Sequence, residues 1–233
     1  MTRVIVMPQF NGVADSVKWQ IENIPAYAKP AEARVLHEPV SISEFDMVNN
    51  LNTGRYKPEL VHERLQLKMR WGPSHSYIEL YRFLQDNGYR LHPLDHSIFD
   101  RRALANGFAG LARKIGKEGR TEELVREYRM LKRRLYYDRE KLFDEIIDEC
   151  RYDNIGAAVV LVHPRHIPGI RNKLERDGYV HQIVHANEEL EHGFRAAEKR
   201  VLTEAAKTVL EKELPPLMPA FYLASGLVHS ASG

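Results

Sequence analysis

The run Ala157-Ala-Val-Val-Leu-Val162, closed by His163 and Pro164, constrains this chain more than any other stretch. Six apolar residues in succession leave no polar face to turn toward water. A strand of that kind is buried on both sides, the condition of an interior strand in a parallel sheet covered by helices. Three more short apolar runs end in breakers or turns: Val4–Met7 before Pro8, Ala33–His37 before Pro39, and Tyr179–Val184. Tyr89–Leu94, introduced by Asn87 and Gly88, is a weaker fifth candidate.

Between the runs the period becomes helical. Tyr77, Leu80, Tyr81 and Leu84 recur at three and four and stop at Asn87-Gly88, a C-terminal helix signal. Thr121-Glu122-Glu123 opens another helix, with acidic residues in its first turn. Further helices are expected near 169–177 and 188–213. The alternation predicts an α/β fold: a mostly parallel sheet holding residues near 3–7, 34–38, 157–162 and 180–184, flanked by helices. One domain is expected over 1–214. A long helical insertion, an antiparallel excursion, is expected over about 100–152. An apolar, proline-broken tail over 215–233 is expected to dock on the domain or to form a homo-oligomer.

Composition excludes several classes. Hydrophobic residues at 43% and charged residues at 28% are those of a packed chain rather than a disordered one. No stretch approaches the ~18 apolar residues of a membrane span, so no membrane partner is expected and the cytoplasm is the default location. Cys150 is the one cysteine, which excludes an internal disulfide and a four-thiolate zinc site. Set among Phe143, Ile146 and Ile147, it reads as a small buried hydrophobe. A net charge of +2 does not imply a nucleic-acid partner. Locally, however, Arg113 to Lys141 carries eleven Lys/Arg against six Asp/Glu, with Tyr128, Tyr136 and Tyr137 nearby. Such a patch can follow phosphates; it can equally be a solvated helix face laced by ion pairs.

In open α/β sheets ligands bind beyond the C-terminal strand ends, so chemistry is sought just after each run. There stand Asn11; Glu38; Asp95 and His96; and His163, Arg165 and His166. Asp95 is read first as the N-cap of a helix at Ser97, and otherwise as the partner that orients His96. His166, near a helix start at Pro168, would sit where the dipole keeps an imidazole neutral, suited to a metal or to acid–base work. His163 can turn inward by strand alternation. Arg139 shares the apolar stripe of Leu135, Leu142, Phe143, Ile146 and Cys150. An arginine facing the core either snorkels its charged head to the edge along its aliphatic stem or needs an anion, Glu38 or a substrate group. The expectation is that Glu38, Arg139 and His166 converge. Arg139→Met should then abolish ligand- or metal-dependent behaviour while the fold survives.

Arg34-Val-Leu-His-Glu38, Asp138-Arg139-Glu140 and the segment from Ala157 through His166 to Pro168-Gly169-Ile170 resemble three motifs of one superfamily. Its members include TraB-type proteins, the TIKI metalloproteases, erythromycin esterases and ChaN-like proteins. The resemblance implies a strand ending in Glu, an Arg-bearing helix and a histidine loop around one site. In the first loop Asn11 stands at the family histidine and Pro8 at its glycine; His163 takes the second loop's glycine position. Asn is a poor ligand for a transition metal, so the likeness implies a weakened metal site, or one rebuilt with His163.

Three functions follow. One is a hydrolase-like enzyme for a small molecule or peptide, with Glu38, Arg139 and His166 catalytic and Asn11, Asp95, His96 and Arg165 toward substrate. A zinc, manganese or cobalt ion on Glu38, His163 and His166 would assist it. The second is a nucleic-acid- or protein-binding module using the basic helices. The third is an inactive structural homo-oligomer.

Overall fold

The computed structural model describes residues 2–10, 12–68, 75–95, 107, 110, 111, 113, 114, 117, 119, 121–133 and 139–213, the side chains of 66–68, 132 and 201–213 excepted. The strands are β1 Arg3–Pro8, β2 Ala33–Ser41, β3 Arg90–Asp95, β4 Ala157–Val162 and β5 Val180–Ile183. They form one sheet in the order β3-β2-β4-β1-β5, and every pairing is parallel. Its helices among the described residues are α1 Ala14–Tyr27, α2 Phe45–Asn52, α3 Pro58–Lys68, α4 Ser76–Asp86, α5 Glu122–Arg133, α6 Arg139–Tyr152, α7 Ile167–Arg176 and α8 Glu188–Glu213. The fold is α/β, as the alternation of periods predicts. Among the described residues no helix is long and apolar enough to cross a membrane.

β4 is buried at all six positions because both its faces are covered. On one face Ile5, Met7, Val35, Val159 and Leu161 pack with Val17 and Ile24 of α1, Leu51 of α2 and Leu80 and Leu84 of α4. On the other, Val4, Val6, Leu36, Val160 and Val162 pack with Phe143, Ile146 and Ile147 of α6 and with Ile170 and Leu174 of α7. Cys150 lies in this second core, and burial pushes its thiol up to about 11, which disfavours the reactive thiolate. β2 outlasts its apolar run, continuing through Pro39 to Ser41. A register shift between His37 and Ser41 accommodates the proline, and pairing with β3 resumes at Ser41 and Asp95. β5 is an edge strand whose burial alternates, unlike the interior β4.

The expected single domain over 1–214 divides into two compact units, residues 1–98 with 139–201 and residues 99–138 with 202–233. Sheet and candidate site belong to the first. The insertion expected over 100–152 is corrected at its end: Arg139–Tyr152 is α6, a crossover helix of the α/β unit. Its apolar stripe covers the sheet. In the second unit α5 begins as Thr121 predicts, with the Leu124 N–H donating to its hydroxyl at 3.3 Å. The remainder of the excursion and the tail over 215–233 lie largely or wholly outside the described residues.

One carboxylate of α6 makes the packing pH-dependent. Asp144 is half-buried, and its Oδ1 has no partner among the described residues. Burial, opposed by Lys173 and Arg176, pushes it up to about 6. A carboxyl raised on folding holds its proton longer in the native state. The benefit is therefore present in acid and is lost as pH rises from about 4 through about 6. Asp144→Asn is expected to raise Tm at about pH 8 and leave it unchanged at about pH 4. A Tm at pH 8 no higher than wild type would contradict this.

Candidate active site

The alternation of β2 sends its last side chains to opposite faces. His37 goes under α4 with Val35, and Glu38 goes under α6 with Leu36. Glu38 there meets Arg139, the first residue of α6, whose Nη2 donates to Glu38 Oε1 at 2.6 Å. The same guanidinium grips Asp95, at the end of β3, in bidentate fashion: Nε to Oδ1 at 2.9 Å and Nη2 to Oδ2 at 2.7 Å. All three residues are buried. Burial alone would raise the Glu38 carboxyl, but Arg139, then His166 and the His163 N–H, outweigh it and hold Glu38 well below the usual glutamate range. Burial likewise opposes the charge of Arg139, and Glu38 followed by Asp95 more than offsets it, so Arg139 is raised.

The loop after β4 closes over this ion cluster. The His163 backbone N–H donates to Glu38 Oε2 at 2.6 Å, so both Glu38 oxygens are engaged. A short 3-10 turn, Pro164–His166, then leads into α7. His166 is fully buried. Its Nε2 lies 3.6 Å from Glu38 Oε1, its Nδ1 3.5 Å from Glu140 Oε1, and its ring is edge-on to Phe143. The Glu140 carboxylate in turn crowds Gly169, where an added Cβ would lie 2.5 Å from Oε2.

His163 points elsewhere. Its ring reaches α8, where Nε2 donates to Glu198 Oε2 at 3.0 Å. Its Nδ1 accepts the Arg165 N–H at 3.3 Å. Those two bonds specify the tautomer: the proton is on Nε2 and the lone pair on Nδ1. Phe10, from the loop after β1, lies edge-on at 6.4 Å. The side chain of His163 is 18% exposed, whereas that of His166 is at 0%.

The structure thus brings Glu38, Arg139 and His166 together, as expected, and adds Asp95 as a full partner. Arg139 takes both Asp95 oxygens because a buried guanidinium beside one carboxylate still has donors to satisfy; the helix at Ser97 that Asp95 is expected to cap, and His96, lie outside the described residues. Arg165 is exposed at the mouth, and its Nε approaches His166 Nε2 at 3.4 Å. Asn11 and His96 lie outside the described residues. Glu198 is not legible in the sequence, one glutamate among several on a polar helix. Glu140 is visible beside Arg139, but nothing in the sequence gives it a role.

As ligands for a divalent metal, Glu38, His163 and His166 fit poorly. A guanidinium and an N–H hold the carboxylate, and the His163 ring faces Glu198. Among the described residues no group of three His, Cys, Asp or Glu side chains is placed to hold an ion.

The end of the sheet at β1 and β4 is also where the chain changes direction. β1 leads to α1 on one face, while β4 leads to α7 on the other. That is the topological switch point at which such sheets bind ligands. No family model matches this chain, and no curated protein or solved structure is found to be similar to it.

Proposed function

We propose that the chain is a hydrolase-like enzyme whose proton-handling residue is His163, at the switch point between β1 and β4. One observation carries this: His163 combines a reachable imidazole, a carboxylate that fixes its tautomer, and a backbone pinned by a buried ion cluster. The resemblance of the β4–α7 loop to a superfamily that contains hydrolases is consistent with it. In this reading the long 3.3 Å bond from the Arg165 N–H to His163 Nδ1 opens when substrate binds, and Nδ1 then takes a proton from water as the hydroxide adds to the substrate's acyl carbon. It then returns the proton to the leaving group, and Glu198 stabilises the imidazolium between the two steps. Glu38, Asp95 and Arg139 are positioning residues. A glutamate held ionised against an arginine is too weak a base for the task itself. His166, fully buried, orients the loop and does not meet substrate. The test is a turnover screen of chromogenic esters, amides and short peptides with wild type and His163→Gln. Turnover by wild type that the variant lacks supports the reading, and equal turnover by both rejects it.

A second reading attaches to the other unit. On α5, Arg126, Arg129 and Arg133 are exposed at helical spacings of three and four, although Lys114 pairs with Glu127 at 3.1 Å and offsets part of the charge. If this face follows phosphates, a fluorescent oligonucleotide binds at low salt and its affinity falls steeply as salt rises. No binding at low salt removes the reading.

A further inference from the structure

Beside the His163 loop lies a hollow of about 170 Å³, walled by Pro8, Pro164, Arg171, His185, Glu191 and Arg195. Its walls are the end of β1, the turn after β4, the residues after β5 and the first turns of α7 and α8. Pro164 adjoins His163, and the Arg195 guanidinium lies 5.9 Å from the Phe10 ring, which itself abuts His163. The hollow therefore lies beside the loop that carries the imidazole, with Pro164 as the lining residue next to His163.

Its charge is unbalanced. Two arginines and a histidine face one carboxylate. That carboxylate is already matched twice, by His185 Nδ1 at 3.1 Å and by Arg195 Nη2 at 3.5 Å from Glu191. Among the described residues no carboxylate answers Arg171. The start of α7 adds the positive end of a helix to the same wall. At this volume, below the roughly 300–1,000 Å³ of sites for drug-sized ligands, the hollow takes a headgroup and not a whole large molecule.

We infer that this hollow is the recognition subsite of the enzyme and takes a compact oxyanion, a carboxylate or phosphoryl group borne by the substrate. Arg171 is its determinant, because its positive charge is the one that nothing in the hollow answers. Calling the anion part of a substrate rests on the hydrolytic reading above, whereas the binding of the anion does not.

The probes are inorganic phosphate and acetate, each titrated into the whole chain at fixed ionic strength and followed through backbone amide resonances. Wild type is compared with Arg171→Gln, Arg195→Gln and, as a control at the far end of α7, Arg176→Gln. The expected result is saturable shifts at Gly169, Ile170 and the residues after β5, with affinity about tenfold weaker in Arg171→Gln and unchanged in Arg176→Gln. Saturation by phosphate alone identifies a phosphoryl headgroup, and by acetate alone a carboxylate; saturation by both leaves the class as stated. No saturable shift with either anion, or equal weakening by Arg171→Gln and Arg176→Gln, overturns the inference. Anion binding without turnover would defeat the hydrolytic reading alone, and turnover without anion binding would defeat this subsite alone.

Discussion

Arg139→Met is expected to destabilise the chain by about 3–5 kcal/mol at neutral pH, the cost of leaving buried charge without its partner. The sequence suggests a milder outcome, in which the fold survives, because it shows one carboxylate where the structure places two. Glu38 and Asp95 both end in the guanidinium, and methionine fills its volume while answering neither. The loss should depend on pH. In wild type Glu38 is held below its ordinary range, so its stabilisation is present above about pH 4.3, the unfolded value, and is lost as pH falls through the lower folded value. Without Arg139 the burial of Glu38 goes unopposed by the largest favourable influence, so protonation relieves the variant. The gap between variant and wild type should therefore narrow toward pH 4. Adding Glu38→Gln and Asp95→Asn to Arg139→Met should recover part of the loss, since it is unpaired charge and not lost packing that costs most. Urea midpoints at pH 7 and near pH 4 decide it, and a variant as stable as wild type at pH 7 would show the cluster to be energetically idle.

The second large effect is on turnover. With a substrate found by the screen, His163→Gln is expected to lower kcat by about 10²–10⁴, the range of general acid–base catalysis. Glu198→Gln keeps the hydrogen bond but not the charge, and should cost about 10–100-fold, as losing an orienting partner does. His166→Gln separates orientation from chemistry. A fully buried ring that only supports the loop should lower stability and kcat together, and its variant should keep the wild-type pH profile. If His166→Gln abolishes turnover while His163→Gln spares it, the roles assigned to the two histidines are reversed.

How much of this could be read beforehand differs by residue. Val159, Val160 and Val162 announce an interior strand because continuous burial leaves a continuous apolar record. Arg139 points to a buried anion unless its stem carries the charge to the edge, because a guanidinium taken into the core alone is costly. Both signals are local. That Asp95 supplies the second carboxylate is not local: it depends on β3 lying beside β2, and the weak run Tyr89–Leu94 says little about its neighbours. Glu198 is harder still. Nothing near it in sequence distinguishes it from Glu188, Glu189 or Glu191, and only the return of α8 to the strand ends gives it a histidine. His163, which strand alternation could turn inward, instead keeps part of its side chain exposed, while His166 is the buried one. The 3-10 turn buries His166 and turns the ring of His163 outward, a detail of three residues that composition does not encode.

The central strand arrives late. β4 pairs with both β1 and β2, yet it follows them by more than a hundred positions in the chain. β1 and β2 are not neighbours in the finished sheet, so as the chain leaves the ribosome the first cannot protect its backbone on the second. Of the strands made before residue 96, only β2 and β3 can join. Closure thus waits on a long loop, which makes sheet formation slow. Until β4 is inserted, the most apolar edges of the molecule stand open to other chains, and this interval, more than the finished fold, is where the nascent protein is exposed to aggregation.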